Sequence, residues 1–417
     1  MEIEWINHAG FVLRDKELTM DVDPWIEGLA FNHGWHLLSK TIFKYDDFKN
    51  INYIWFSHEH PDHFMPPNLK KIPKSILKEI SVIFQKTNDN IVADFCKHIG
   101  FGDIIETKNE FIKLNKTIDC YIEDAGRGDS WIAIKNNELT ILNINDCIFM
   151  EKEPLYKIMN TVGKIDVLMT QFSYASWWGN KEDREAWKNA AKEQLIKVQR
   201  EIEVFKPKYT ILFASFVYFC HEENFYMNEN SNSPKTAVDF VNSLGLTNPI
   251  VLYPGDKWTI GDFWDNEVVL KKYENDILYA KEQSVIKSKK VEIDNLKKSC
   301  LVFIIKLKKF NFIYLWFRLP KAKIYLIDHK IYVALGIRGL EVIKKCDTKY
   351  DVALSSDSLA NCFDTNWGGE TLMINGRFQE GKLGNKANFF RWFSIAQANS
   401  RKTYYDLKYY IKKLLHI

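Results

Sequence analysis

The stretch Ile51-Asn52-Tyr53-Ile54-Trp55-Phe56-Ser57 has the unbroken apolar character of a strand covered on both faces, and it runs directly into His58-Glu59-His60-Pro61-Asp62-His63. A chain built this way must bury that strand and deliver three histidines and two carboxylates at its end. Only ten histidines occur in 417 residues, so three within six positions is a concentration that an incidental polar loop would rarely produce. Pro61 stiffens the segment by fixing its own φ. Neutral imidazole and carboxylate are the ligands favoured by zinc and non-haem iron. Alternation turns His58 and His60 toward one point and leaves Asp62 and His63 to reach a second. A pair of metals ~3.5–4 Å apart would then share a hydroxide, with Asp62 and His63 placed at the chemistry.

The rest of the chain supplies short strands and helices in alternation, which indicates an α/β protein. Residues 1–6, 10–13, 18–22, 81–84, 104–106, 118–122, 130–134, 139–144 and 209–214 read as strands, and 91–99 and 181–205 as helices. Residues 68–80 read as a helix entered at Pro66-Pro67 and interrupted at Pro73. This alternation alone does not choose between a parallel sheet and a two-sheet sandwich. A change in composition near residue 270 divides the chain into a catalytic unit, 1–270, and a smaller, lysine-richer α+β unit, 271–417, which would shape the pocket or mediate a homodimer.

Several classes are disfavoured by the totals. A net charge of +3 lacks the basic footprint of a nucleic-acid binder. The seven cysteines form no C-x-x-C pair, as expected of reduced thiols in a cytosolic protein. The acidic N-terminus, Met1-Glu2-Ile3-Glu4-Trp5, does not read as a signal peptide. The longest apolar stretch, 300–316, is broken by Lys306, Lys308 and Lys309 and falls short of the ~18 uncharged residues of a membrane span. The expectation is a cytoplasmic protein acting on a small molecule, without nucleic-acid or membrane partners.

The pattern His58-x-His60-x-Asp62-His63 resembles the signature of the metallo-β-lactamase-fold superfamily, which implies an αββα sandwich. Asn7-His8-Ala9-Gly10-Phe11, Asp23-Pro24-Trp25, Gly34-Trp35-x-Leu37-Leu38, Ile141-Leu142-Asn143 through Asp146-Cys147, and Phe213-Ala214 through His221 are similar to the catalytic region of the CMP-N-acetylneuraminate hydroxylases. The resemblance runs with gaps over residues 5–260 and more faintly over 357–379. It implies a first metal on His58 and His60, a second on Asp62, His63 and His221, and Asp146 as the carboxylate between them. Judged without it, Asp146 reads as a turn residue after a buried strand and His221 equally as a core histidine.

Two departures bear on the chemistry. The family supplies another histidine before the bridging aspartate, but Glu123-Asp124-Ala125-Gly126-Arg127-Gly128-Asp129 holds none. Asp124, Glu123 or Asp129 would substitute, shifting the preference from zinc toward iron or manganese, or the first position is left weak. The hydroxylases also carry a Rieske cluster, which needs paired C-x-H and C-x-x-H motifs that this chain lacks. His8 reads equally as a partner orienting a ligand imidazole and as a core histidine. Arg127 is a candidate anion contact, and Trp177 is a candidate stacking surface or a structural corner. The leading expectation is a metal-dependent hydrolase using metal-activated water on a polar, phosphorylated or sugar-like substrate. Its rivals are a dinuclear-iron monooxygenase fed by an external electron donor and a binding protein with a degenerate site.

Overall fold

The computed structural model describes the chain apart from Glu17, Arg127, 345–348 and 407–417, and apart from the side chains of Ile313, Trp316, Phe317 and Arg318. Arg127 and one of the seven cysteines, Cys346, therefore lie outside the described residues. The other six cysteines are buried and unpaired.

Two seven-stranded sheets form the body. The first runs, edge to edge, through Lys257–Thr259, Glu2–Asn7, Gly10–Asp15, Leu18–Val22, Tyr53–Trp55, Ser81–Gln85 and Ile104–Thr107. The second runs through Asn248–Ile250, Tyr209–Phe213, Val167–Gln171, Thr140–Asn145, Asp129–Lys135, Asp119–Gly126 and Phe111–Lys113. Successive strand residues face opposite ways, so both faces of the first sheet need cover. Trp55 and Ile83 turn inward with Trp5, Phe11, Ile132 and Ile134. Their neighbours Ile54, Val82 and Phe84 turn outward onto Val92 and Cys96 of the Ile91–Ile99 helix. Leu155 and Ile158 of the Lys152–Val162 helix and Val198 and Ile202 of the Arg184–Phe205 helix cover the second sheet. The layers are helix, sheet, sheet, helix: an αββα sandwich.

Residues 35–48 mix aromatic and charged side chains, a pattern compatible with a helix or a lid. They contain a three-residue strand, Trp35–Leu37, paired with Val217–Phe219 and Leu29–Ala30, followed by a 3-10 turn at Tyr45–Asn50. This small sheet sits over one end of the sandwich.

A second core gathers residues from Leu296 to Ala396 around a five-stranded sheet. The apolar stretch after Cys300 belongs to the Ile293–Arg318 helix, because Cys300, Phe303, Ile304 and Leu307 recur at helical spacing and all point inward. The helix breaks at Asn311, whose Nδ2 donates to the Leu307 carbonyl at 3.0 Å. Among the described residues no helix is long and apolar enough to cross a membrane. The Asn266–Glu282 helix packs on the sandwich through Val269, Leu270 and Tyr273.

The two cores meet at a buried cation. Arg377 is fully enclosed, donating from Nε to Glu223 at 2.8 Å, from Nη2 to Asp357 at 2.7 Å and from Nη1 to the Asn32 carbonyl at 2.6 Å. Removing one partner of a buried pair leaves the other charged and unsolvated. Arg377→Met is therefore expected to destabilise the chain by about 3–5 kcal/mol in urea unfolding. A loss under about 1 kcal/mol would mean that Glu223 is rescued by solvent.

Candidate metal centre

Several loops converge at one rim of the sandwich. The 58–63 loop follows the Tyr53–Trp55 strand, Asp23 follows Leu18–Val22, and Asp146 follows Thr140–Asn145. Asp129 opens the Asp129–Lys135 strand, and His8 lies in the tight turn joining Glu2–Asn7 to Gly10–Asp15.

These residues assemble into three overlapping groups, each with ligand atoms within 4.8 Å of one another: His58, His60 and Asp129; His58, His63 and Asp146; and His8, Asp62 and His63. His58 Nε2 stands 2.9 Å from His60 Nδ1 and 3.9 Å from Asp129. Asp62 Oδ2 stands 3.3 Å from His63 Nε2 and 3.2 Å from His8 Nε2. Asp146 Oδ2 lies between these two positions, 3.6 Å from His58 Nε2 and 3.7 Å from His63 Nε2. Donors that bind one ion at ~2.0–2.2 Å stand ~3–3.6 Å apart, so the spacing suits two ions.

Unpaired atoms point the same way. His63 Nε2, Asp62 Oδ1, Asp146 Oδ1 and His8 Nδ1 are buried without a hydrogen-bond partner among the described residues. Such groups cost ~1–3 kcal/mol each unless something else satisfies them. Burial, and then the charge of Asp146, pushes the Asp129 carboxyl up to about 7. Burial pulls His58 down to about 4, leaving its imidazole neutral and able to donate a lone pair. Burial also opposes charge on His60, but Glu370 and the nearby aspartates outweigh it and lift His60 to about 9.

A metal held by Asp129 and His60 would have to displace their protons, and both titrate above their ordinary values, so affinity is expected to rise with pH from below 7 to about 9. Calorimetry with a divalent ion at pH 7.5, repeated in buffers of different ionisation enthalpy, is expected to show net proton release. Binding with no change of protonation would contradict it.

A second layer fixes the donors. Asp23, fully buried, accepts from Ser57 N at 2.8 Å, Ser57 Oγ at 2.6 Å, His63 Nδ1 at 2.9 Å and Asn145 Nδ2 at 2.9 Å. By holding the proton on His63 Nδ1, Asp23 leaves Nε2 free to face Asp62 and Asp146. His8, Asp23 and Asn145 all have left-handed backbones, with φ of 44°, 42° and 53°. These turns aim each side chain back over the rim.

The remaining sequence candidates are not brought to this point. His221 is in none of the three groups; its Nδ1 accepts from Glu223 N at 3.2 Å, on the Arg377 side of the small sheet. At the second position it is His8 that stands beside Asp62. Asp124 is exposed and caps Gly126 N at 2.7 Å, and Glu123 pairs with Lys157. Trp177 stacks on Phe378 with ring centroids 4.8 Å apart, so its contacts are those of a structural corner. Asp23 was not singled out as a site residue, although Asp23-Pro24-Trp25 was legible as a family stretch. Glu370, 3.9 Å from His60 Nε2, comes from the second core and left no local signal in the sequence.

A family model described as a beta-lactamase superfamily domain matches residues 2–114. A protein of Mycolicibacterium smegmatis named for a Rieske 2Fe-2S centre is 26% identical over 191 residues, 43% of this chain and 35% of its own length. The cytidine monophosphate-N-acetylneuraminic acid hydroxylase of Danio rerio is 22% identical over 255 residues, 56% of this chain and 41% of its own length. The matches thus span less than half of these relatives. Among solved structures, CmlA, a diiron β-hydroxylase from Streptomyces venezuelae, aligns over 62% of this chain and 53% of its own, with 15% identity and a TM-score of 0.44. An isothiocyanate hydrolase from Delia radicum gut bacteria aligns over 62% of this chain and 99% of its own, with 14% identity and a TM-score of 0.46. With its αββα sandwich, its rim of histidines and aspartates and the match over residues 2–114, the chain resembles the metallo-β-lactamase superfamily and, within it, the CMP-N-acetylneuraminate hydroxylases.

Proposed function

We propose that the chain is a dinuclear metal-dependent oxygenase acting on a polar, sugar-like or phosphorylated small molecule, with electrons delivered by a separate protein. The observation that carries this reading is the composition of the donor groups. His58, His60 and Asp129 form a two-histidine, one-carboxylate set, and His8, His63 and Asp62 form another. That combination with an open position serves both non-haem iron oxygenases and catalytic zinc sites; what tilts it toward iron or manganese is the extra oxygen donor that Asp129 supplies in place of a histidine. Asp129 is the substitute for the histidine missing from the sequence, and Asp146 is the shared carboxylate. His8 takes the role first given to His221.

A redox-active metal pair held there would supply dioxygen activation. The chain's own residues hold it and shape its surroundings. His8, His58, His63 and Asp62 are sealed from solvent, whereas the side chains of His60, Asp129 and Asp146 are 23%, 23% and 19% exposed, so substrate approaches from that side. This sequence carries no paired C-x-H and C-x-x-H motifs, and the relatives' names agree with redox chemistry. The division into units 1–270 and 271–417 belongs to the same proposal, with its boundary moved past the Asn266–Glu282 helix that packs on the sandwich, and with the second unit closing the site rather than adding a reaction.

The test is metal quantification on protein purified without chelators or affinity metals, read with its visible spectrum and with oxygen dependence of turnover. About two irons per chain with an oxygen-to-iron band supports the proposal. Zinc with oxygen-independent turnover returns the reading to hydrolysis, which the sequence alone had favoured. Protein with no bound metal, unchanged by His60→Ala, would leave a binding protein.

A further inference from the structure

The second core reaches the metal loop at two points and the neighbouring Phe31 at a third. The Gly368–Asn375 helix carries Glu370, whose Oε1 lies 3.9 Å from His60 Nε2. Arg401 donates to Glu59 at 3.1 Å, and its guanidinium lies 5.0 Å from the centre of the Trp367 ring. Asn375 Nδ2 donates to the Phe31 carbonyl at 3.0 Å, and the Phe31 ring meets His60 edge-on at 5.7 Å. The approach is close: a Cβ on Gly34 would fall 2.5 Å from the Asn375 Cβ, so only glycine fits there.

His60 has two ring nitrogens with different surroundings. Nδ1 faces His58 Nε2 at 2.9 Å and the Asp129 side, where the first metal position lies, while Nε2 faces Glu370. A histidine can offer Nδ1 as a lone pair only if its proton sits on Nε2. Asp23 performs the corresponding task for His63 through the opposite nitrogen. We propose that Glu370 is a positioning residue of the metal centre, its carboxylate 3.9 Å from His60 Nε2 favouring the proton on that nitrogen so that Nδ1 serves the first position. The centre is then assembled from both cores, and the second unit is part of the site. This rests on the metal reading above.

The experiment uses the full chain, stripped of metal and titrated with manganese(II), whose free and bound forms are counted by electron paramagnetic resonance. Wild-type protein is expected to bind two equivalents. In Glu370→Ala one equivalent should weaken by about 10–100-fold while the other holds. Glu370→Gln keeps the shape and an acceptor oxygen, so it should fold as the wild type does and weaken the same equivalent less. Asp357→Asn, which loosens the junction through Arg377 without touching His60, should leave both equivalents intact. Nitrogen-15 spectra of the zinc-loaded protein, with labelled histidine, should show His60 protonated at Nε2 in the wild type and a mixture in Glu370→Ala.

Equal affinity for both equivalents in folded Glu370→Ala, or the same weakening in Asp357→Asn, overturns the role of Glu370 while leaving the metal reading intact. Wild-type protein that binds no divalent ion overturns both.

Discussion

Asp146→Ala protein is expected to emerge from purification with about half or less of the wild type's metal, and to bind added metal more than about 100-fold more weakly. The size of the effect follows from position. Asp146 Oδ2 stands within 3.7 Å of both His58 Nε2 and His63 Nε2, so one substitution removes an anionic donor from two ions at once. Loss of an outer partner typically costs ~10–100-fold, and a shared ligand must exceed that. The two positions then hold one aspartate each, Asp129 and Asp62, which leaves two divalent ions under-neutralised and repelling. Elemental analysis against the wild type decides. Two full equivalents in Asp146→Ala would mean that the ions do not share it.

Asp23→Ala should be the most damaging change outside the ligands. Four donor groups lose their acceptor inside a dry site: Ser57 N, Ser57 Oγ, His63 Nδ1 and Asn145 Nδ2. A cost of about 3–5 kcal/mol in unfolding free energy is expected, as for breaking a buried charged network. Asp23→Asn separates stability from tautomer. The amide keeps the shape and one oxygen, so stability should fall less. Its NH2 group cannot accept the His63 Nδ1 proton, however, and drives that proton to Nε2, the nitrogen the second position needs. Metal binding there should therefore suffer as much as in the alanine variant. A stable Asp23→Asn protein with full second-site occupancy would show that Asp23 only packs.

The sandwich was largely legible because its signals are local. Strands such as Leu18–Val22 and helices such as Ile91–Ile99 are written in consecutive apolar residues, and the Tyr53–Trp55 strand lies inside the buried run that precedes the histidines. The 58–63 loop was legible for the same reason, as donors and scaffold are contiguous. Asp129 and Asp146 were reachable through strand ends and resemblance. His221 stands apart from the three groups because order along the chain does not specify side: the small sheet of Trp35–Leu37 and Val217–Phe219 carries it toward Glu223 and Arg377. Glu370 was out of reach because it lies 310 positions beyond His60 and belongs to another core. Nothing in the alternation of residues 368–375 distinguishes a carboxylate that approaches His60 from one that faces water.

The left-handed backbones at His8, Asp23 and Asn145 have a consequence for how such a chain can change. Sparsely populated conformations of this kind cost of order 1–3 kcal/mol apiece, though His, Asp and Asn tolerate them better than most residues. At Asp23 and Asn145 that strain is outweighed by the buried hydrogen bonds their side chains make, so glycine there would soften the fold. His8 is different: its ring reaches Asp62 and makes no hydrogen bond in the Asp23 network, so glycine there relaxes the backbone at little cost to the fold. Selection for thermal robustness alone would thus press first on the His8 turn, and screening for stability and for metal retention together should find substitutions at His8 concentrated among the stable, metal-poor variants.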